Sequence, residues 1–157
     1  MDLGDLARAR VWIAEALRLS RRYSHNYSHL LADLAHGYLY YRTGRIERAL
    51  GILRKAYADC LRQRFHGFEP ASASWLALCL IEQGLLDEAA VILGETVQRG
   101  NYRHVRTAAT YYLHEARARL AMARGDAAEA TARAEEALAH CRDCGEEMHE
   151  LHALVLC

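Results

Sequence analysis

Cys141-Arg-Asp-Cys144 followed by His149-Glu-Leu-His152 comes nearest to a metal-binding arrangement in this chain. Two thiolates and two imidazoles make a zinc ligand set, and the histidines, three apart, share a helix face. Against that, the cysteine pair falls where the chain must turn, and the loop at Gly145 would have to bend tightly over the ion. Ordinary thiols and surface histidines are the simpler reading, so no metal is expected. His25 and His29, four apart, also share a face, but no third ligand stands at a matching spacing. Cys60 and Cys79 lie inside apolar helical runs and read as small buried hydrophobes rather than nucleophiles. The glycines are dispersed, with no phosphate-cradling loop ahead of Lys-Ser/Thr and no Gly-x-Ser-x-Gly elbow. Neither enzymatic activity nor a cofactor is expected.

The elements that would position any site are periodic. Gly44-Arg-Ile-Glu-Arg-Ala49 recurs in spacing as Gly4 to Ala9, Gly84 to Ala89 and Gly125 to Ala130, with the glycines 40, 40 and 41 residues apart. A fixed period of this size marks a repeat array. Each glycine stands between two apolar patterns of about 3.6-residue period, so each repeat reads as a helix, a left-handed glycine turn and a second helix. Ile46, Leu86 and Ala127 lie two after the glycine, Leu53, Leu93 and Ala134 nine after, and Ala56, Thr96 and Ala137 twelve after. These spacings put the columns on one core face. The expected fold is all-α, about eight antiparallel helices in a helical-hairpin solenoid over residues 1–157. It comprises a half-unit at 1–24, units at 25–64, 65–100 and 101–143, and a half-unit at 144–157.

Composition agrees. Of 157 residues 52 % are apolar, enough to fill a continuous core, and a single proline, Pro70, stands where a helix can begin. Five scattered cysteines, an odd number, do not make a secreted disulfide framework. No apolar run is long enough to cross a membrane, and the N-terminus lacks a basic-then-apolar leader, so a cytoplasmic location is expected. Nineteen arginines against the single Lys55 are what a GC-rich coding sequence gives, which points to a bacterial source. Net charge is zero, yet residues 1–64 carry 12 basic and 6 acidic side chains and residues 65–157 carry 8 and 14, or +6 against −6. Arginines from Arg8 to Arg54, with tyrosines nearby, raise nucleic-acid binding as an alternative. Their scatter around the helices and the zero overall charge count against it.

The columns resemble the tetratricopeptide repeat. Gly37, Ala77 and Ala118 lie seven before the turn glycine, Tyr40, Leu80 and Ala121 four before it, and Ala49, Ala89 and Ala130 five after. The period of 40 exceeds the usual 34, and the proline usual at the end of the second helix is missing. Longer units of this kind are similar to the C-terminal repeat arms of bacterial LuxR-type ATPase regulators and class III adenylate cyclases. The resemblance implies a right-handed superhelix whose first helices line a groove for a protein or peptide segment. In signal transduction or transcription regulation, such an arm would pass partner binding to an output domain.

Positions ten, six, three and two before each glycine then form the groove stripe. They are Leu34, Tyr38, Tyr41 and Arg42; Ser74, Leu78, Ile81 and Glu82; and Glu115, Arg119, Met122 and Ala123. The same side chains would equally serve to pack neighbouring units. An alternative is self-association through open ends, with Val11 together with Trp12 or Ile13 exposed at one and Leu151, Leu154, Val155 and Leu156 at the other.

Overall fold

The computed structural model describes residues 5–100, 108–145, 149–150 and 153. Every regular element among them is helical. They are α1 Leu6–Arg22, α2 Asn26–Arg42, α3 Ile46–Arg62, a 3-10 turn His66–Phe68, α4 Glu69–Glu82, α5 Leu86–Arg99, α6 Ala108–Ala123 and α7 Ala127–Cys144. The described residues thus hold seven α-helices rather than eight. The expected eighth, Met148 to Cys157, lies largely outside the described residues, of which His149, Glu150 and Ala153 are helical. Gly4 and residues 101–107 also lie outside. No helix among the described residues is long and apolar enough to cross a membrane.

The chain divides into two compact units, Met1–Phe65 and His66–Cys157. In the first, α2 packs against both α1 and α3. In the second, α4 packs against α5 and α6, and α6 against α7.

Helix ends follow the expected turn chemistry. Gly44, Gly84 and Gly125 take φ of 71°, 73° and 77°. The residue after each donates its backbone N–H to the carbonyl five back: Arg45 to Tyr40 at 2.9 Å, Leu85 to Leu80 at 2.9 Å and Asp126 to Ala121 at 3.0 Å. This left-handed closure satisfies carbonyls that a helix end leaves open. The same closure ends α1 and α3, His25 to Ser20 and Phe65 to Cys60, both at 3.1 Å. There Ser24 (φ 50°) and Arg64 (φ 56°) occupy the left-handed position, although a Cβ makes it costly. At the N-termini, Asp5 accepts from the Arg8 N–H, His25 from Ser28 and Asp126 from Glu129.

The columns nine and twelve after the glycine are core, as expected. Leu53, Ala56, Thr96, Ala134 and Ala137 are fully buried and Leu93 nearly so. The column two after the glycine is not: Ile46 and Leu86 are half-buried and Ala127 is exposed, because it lies at the helix start, beyond the reach of the preceding helix. Seven before the glycine, small residues let helices approach. A Cβ on Gly37 would stand 2.5 Å from Leu53 Cγ, so α2 and α3 touch there backbone to side chain. At the N-terminal end, Val11 and Trp12 are exposed but Ile13 is buried, since it faces α2 with Ser20.

Candidate functional site

Burial divides the expected groove stripe. Leu34 and Tyr38 of α2 and Ser74 and Leu78 of α4 are buried. The Ser74 hydroxyl donates to the Pro70 carbonyl at 2.5 Å, a bond within its own helix. One residue along, the Trp75 ring meets Tyr112 of α6 edge-on at 5.1 Å, so this side of α4 packs on α6. The accessible members stand toward the C-terminal ends of the first helices: Tyr41 and Ile81 half-buried, Arg42 and Glu82 exposed. On α6 the whole stripe is open to some degree. Glu115 and Arg119 are ion-paired at 3.0 Å, one turn apart, and Met122 is 55 % exposed. In α2, Arg42 donates to the Tyr38 hydroxyl at 3.1 Å, and Tyr38 stacks on Tyr41 at 6.1 Å. The guanidinium thereby fixes the orientation of the tyrosine pair.

A further feature, in the unit His66–Cys157, was not anticipated from the sequence. A cleft of about 710 Å³ is lined by Val97 and Gln98 of α5 and Gly100 just after it, Thr110, Leu113, His114 and Arg117 of α6, and Arg133, Glu136, Ala139, His140 and Asp143 of α7. Arg133 Nη1 grips both Glu136 oxygens at 2.5 and 2.6 Å, while its Nε reaches Glu129 at 2.7 Å. Arg117 approaches Glu136 to 3.9 Å. His114 Nδ1 lies 3.2 Å from Glu136 Oε2. Burial holds the His114 imidazole below its ordinary pKa; Glu136 opposes this, and His140 and Arg117 add to it. The charges of the cleft are therefore largely satisfied among themselves. Its signal in the sequence is two polar stripes at helical spacing, residues 110, 114 and 117 and residues 133, 136, 140 and 143.

Among the described residues, the metal candidates form no ligand group. Cys141 is buried; Cys144 is half-buried, its Sγ 3.7 Å from His140 Nε2. His149 is buried against the rings of Tyr111 and Tyr112, with Nε2 3.3 Å from the Tyr112 hydroxyl. His152 lies outside the described residues. His25 is occupied at the α2 N-terminus by Ser28, and His29 lies between Ser20 at 3.1 Å and Asp33 at 3.5 Å. Among the described residues, no three His, Cys, Asp or Glu side chains are grouped to hold a metal ion. Cys60, Cys79 and Cys141 are buried, as expected of small hydrophobes at Cys60 and Cys79, and burial pushes the Cys79 thiol up to about 12.

Compared with known proteins, the chain matches no family model, no curated protein and no solved structure.

Proposed function

We propose that the chain is a non-catalytic recognition scaffold of tetratricopeptide-like repeats that binds a protein or peptide segment. Following the resemblance, it acts as the regulatory arm of a larger bacterial signalling or transcription-regulating protein. The observation that carries this reading is the accessible stripe on α6, Glu115, Arg119 and Met122, together with Ile81 and Glu82 of α4. It combines an exposed flexible apolar side chain with charges of both signs, the composition of a surface that anchors a peptide and sets its register. Among the described residues, three of the four cysteines, Cys60, Cys79 and Cys141, are buried, and burial raises the Cys79 thiol, which suits core packing.

The test is selection of a displayed random-peptide library on the intact chain. Enriched peptides should lose binding to Met122→Glu and Arg119→Glu and keep it to Val91→Glu, which alters an exposed apolar residue away from the stripe. Enrichment indifferent to Met122 and Arg119, or none at all, would overturn the proposal.

A further inference from the structure

A groove of about 410 Å³ runs between α1 and α2 in the unit Met1–Phe65, with Arg45 at the head of α3 also lining it. Arg10, Ala14 and Leu17, spaced four and three, are one face of α1; His36, Tyr40 and Thr43, spaced likewise, are one face of α2. Ile13 and Leu39, both buried, form the floor. The equivalent columns open in the same way in the other unit. Val97 stands thirteen after Gly84 as Leu17 does after Gly4, and Arg117 eight before Gly125 as His36 does before Gly44. Both line the cleft over α6, and α4 packs on α5 there, so an opening beside these columns is a feature of the repeat.

The polarity of the groove states what fits. Its two charged lining residues, Arg10 and Arg45, are both cationic, and among the described residues no ion pair engages either. The short link at 23–25 makes α1 and α2 antiparallel, and helical side chains lean toward the N-terminus of their helix. Arg10 therefore leans toward Arg45. The Arg45 guanidinium stands over the Tyr40 ring, 5.8 Å from its centroid, which holds it at the groove with N–H donors to spare. His36 packs on the same ring at 4.7 Å, so Tyr40 is engaged within the protein rather than offered to a stacked nucleobase. The Thr43 hydroxyl already donates to the Leu39 and Tyr40 carbonyls, at 2.9 and 3.1 Å. Asp33, whose charge reaches His36, is itself held between His29 at 3.5 Å and Lys55 at 3.8 Å. What remains for a ligand is a pair of guanidinium groups at one end and aliphatic surface at Ala14 and Leu17 beyond it. Arg10 to Leu17 spans about 10 Å of helix. We propose that the groove binds a small amphiphilic anion, a carboxylate or phosphate monoester on a short aliphatic chain. The head lies between Arg10 and Arg45, where bidentate bonds suit either group, and the chain lies over Ala14 and Leu17. The groove and the α6 stripe belong to different units, and the two proposals fail independently.

The probes are octanoate and octyl phosphate below their micelle concentrations, titrated into the intact isotope-labelled chain and followed by heteronuclear NMR. Octylamine, inorganic phosphate and hexaglutamate serve as controls. Expected are saturable shifts of the Ala14, Leu17 and Arg45 amides with octanoate or octyl phosphate, the tighter of the two identifying the head group, and none with octylamine. Arg10→Ala and Arg45→Ala, both at exposed positions, should each weaken binding about tenfold by removing a charge-assisted hydrogen bond. Ala14→Glu, also at an exposed position, should abolish it by setting a carboxylate along the chain's path. Arg48→Ala removes an exposed arginine outside the groove and should leave the affinity unchanged. Absence of saturable shifts with both probes would overturn the proposal, as would shifts that Arg10→Ala, Arg45→Ala and Ala14→Glu leave intact. Inorganic phosphate binding as tightly as octyl phosphate would reduce the site to an ion on arginines and overturn it. Shifts of these amides with hexaglutamate but not with octanoate or octyl phosphate would assign the groove to an acidic peptide and equally overturn it.

Discussion

Gly37 lies inside α2, and replacing it with alanine sets two large effects against each other. Alanine is the better helix former, worth about 1 kcal/mol over glycine at an interior position. At an open site nothing opposes that gain. At residue 37 the new Cβ would stand 2.5 Å from Leu53 Cγ and 2.6 Å from Cδ2, about 1 Å closer than carbon atoms settle. Leu53 is fully buried, and Cγ is the branch point rather than the tip of its side chain, so a rotamer change cannot relieve the contact without new clashes. Either α3 moves away along its length or Leu53 leaves its packed position. Overpacking of this kind costs about 1–3 kcal/mol, and a shift of a whole helix pair lies at the upper end. The net expectation for Gly37→Ala is a loss of about 1–2 kcal/mol.

Gly51 of α3 and Gly94 of α5 are interior helical glycines with nothing within 4 Å of the added Cβ. There the same substitution should stabilise by up to about 1 kcal/mol. Urea unfolding followed by helical circular dichroism, with the two units allowed separate transitions, measures all three variants. Leu53→Ala provides the cycle: it should destabilise by about 2–5 kcal/mol alone, and adding Gly37→Ala to it should then be neutral or stabilising. If Gly37→Ala raises stability as Gly51→Ala does, or if the cycle is additive, the close approach of α2 and α3 is refuted.

Other expectations follow from the same packing. Glu69 is buried at the start of α4 with its carboxylate 2.6 Å from Arg99 Nε. Arg99→Ala leaves that carboxylate only the exposed His66 ring at 3.7 Å and should cost about 2 kcal/mol, below the 3–5 of a fully buried pair because Arg99 remains partly solvated; adding Glu69→Gln should recover much of it by thermal unfolding. Arg64→Gly and Ser24→Gly relieve left-handed backbone and should each raise the denaturation midpoint, by about 1 kcal/mol in stability. Because His114 is held below its ordinary value, the unfolded chain takes up a proton first as pH falls below about 6.5. Stability should therefore fall on acidification through that range and through the lowered folded value, and His114→Gln should flatten the dependence. Of the four described cysteines, Cys144 should react first with a thiol reagent, while Cys79 stays protected until unfolding, as peptide mapping would show.

Most of the helical framework was legible because it depends on local chemistry. The turn glycines, Pro70 at the head of α4 and Gly145 at the end of α7 act within one helical turn of themselves, so the local sequence reveals them. The core columns at Leu53, Ala56 and Thr96 were legible for the same reason: helical period fixes which residues share a face. The groove stripe was read less completely. Spacing places Leu34, Tyr38, Ser74 and Leu78 on one face but cannot say whether a neighbour covers it, and all four are buried.

What the sequence by itself determined is therefore the seven described helices, most of their ends and which residues share a face, since each is set by residues a few positions apart. The tertiary structure decided which faces remain open and which charges meet. Glu69 and Arg99 are 30 residues apart, and His114 and Glu136 come from different helices; no local rule joins them. Exposure of Ala16 against burial of Ala56, Thr96 and Ala137 is the plainest case. Ala16, Ala56 and Ala137 are the same residue in one sequence column, so their different burial is a property of the packed chain and not of the residue.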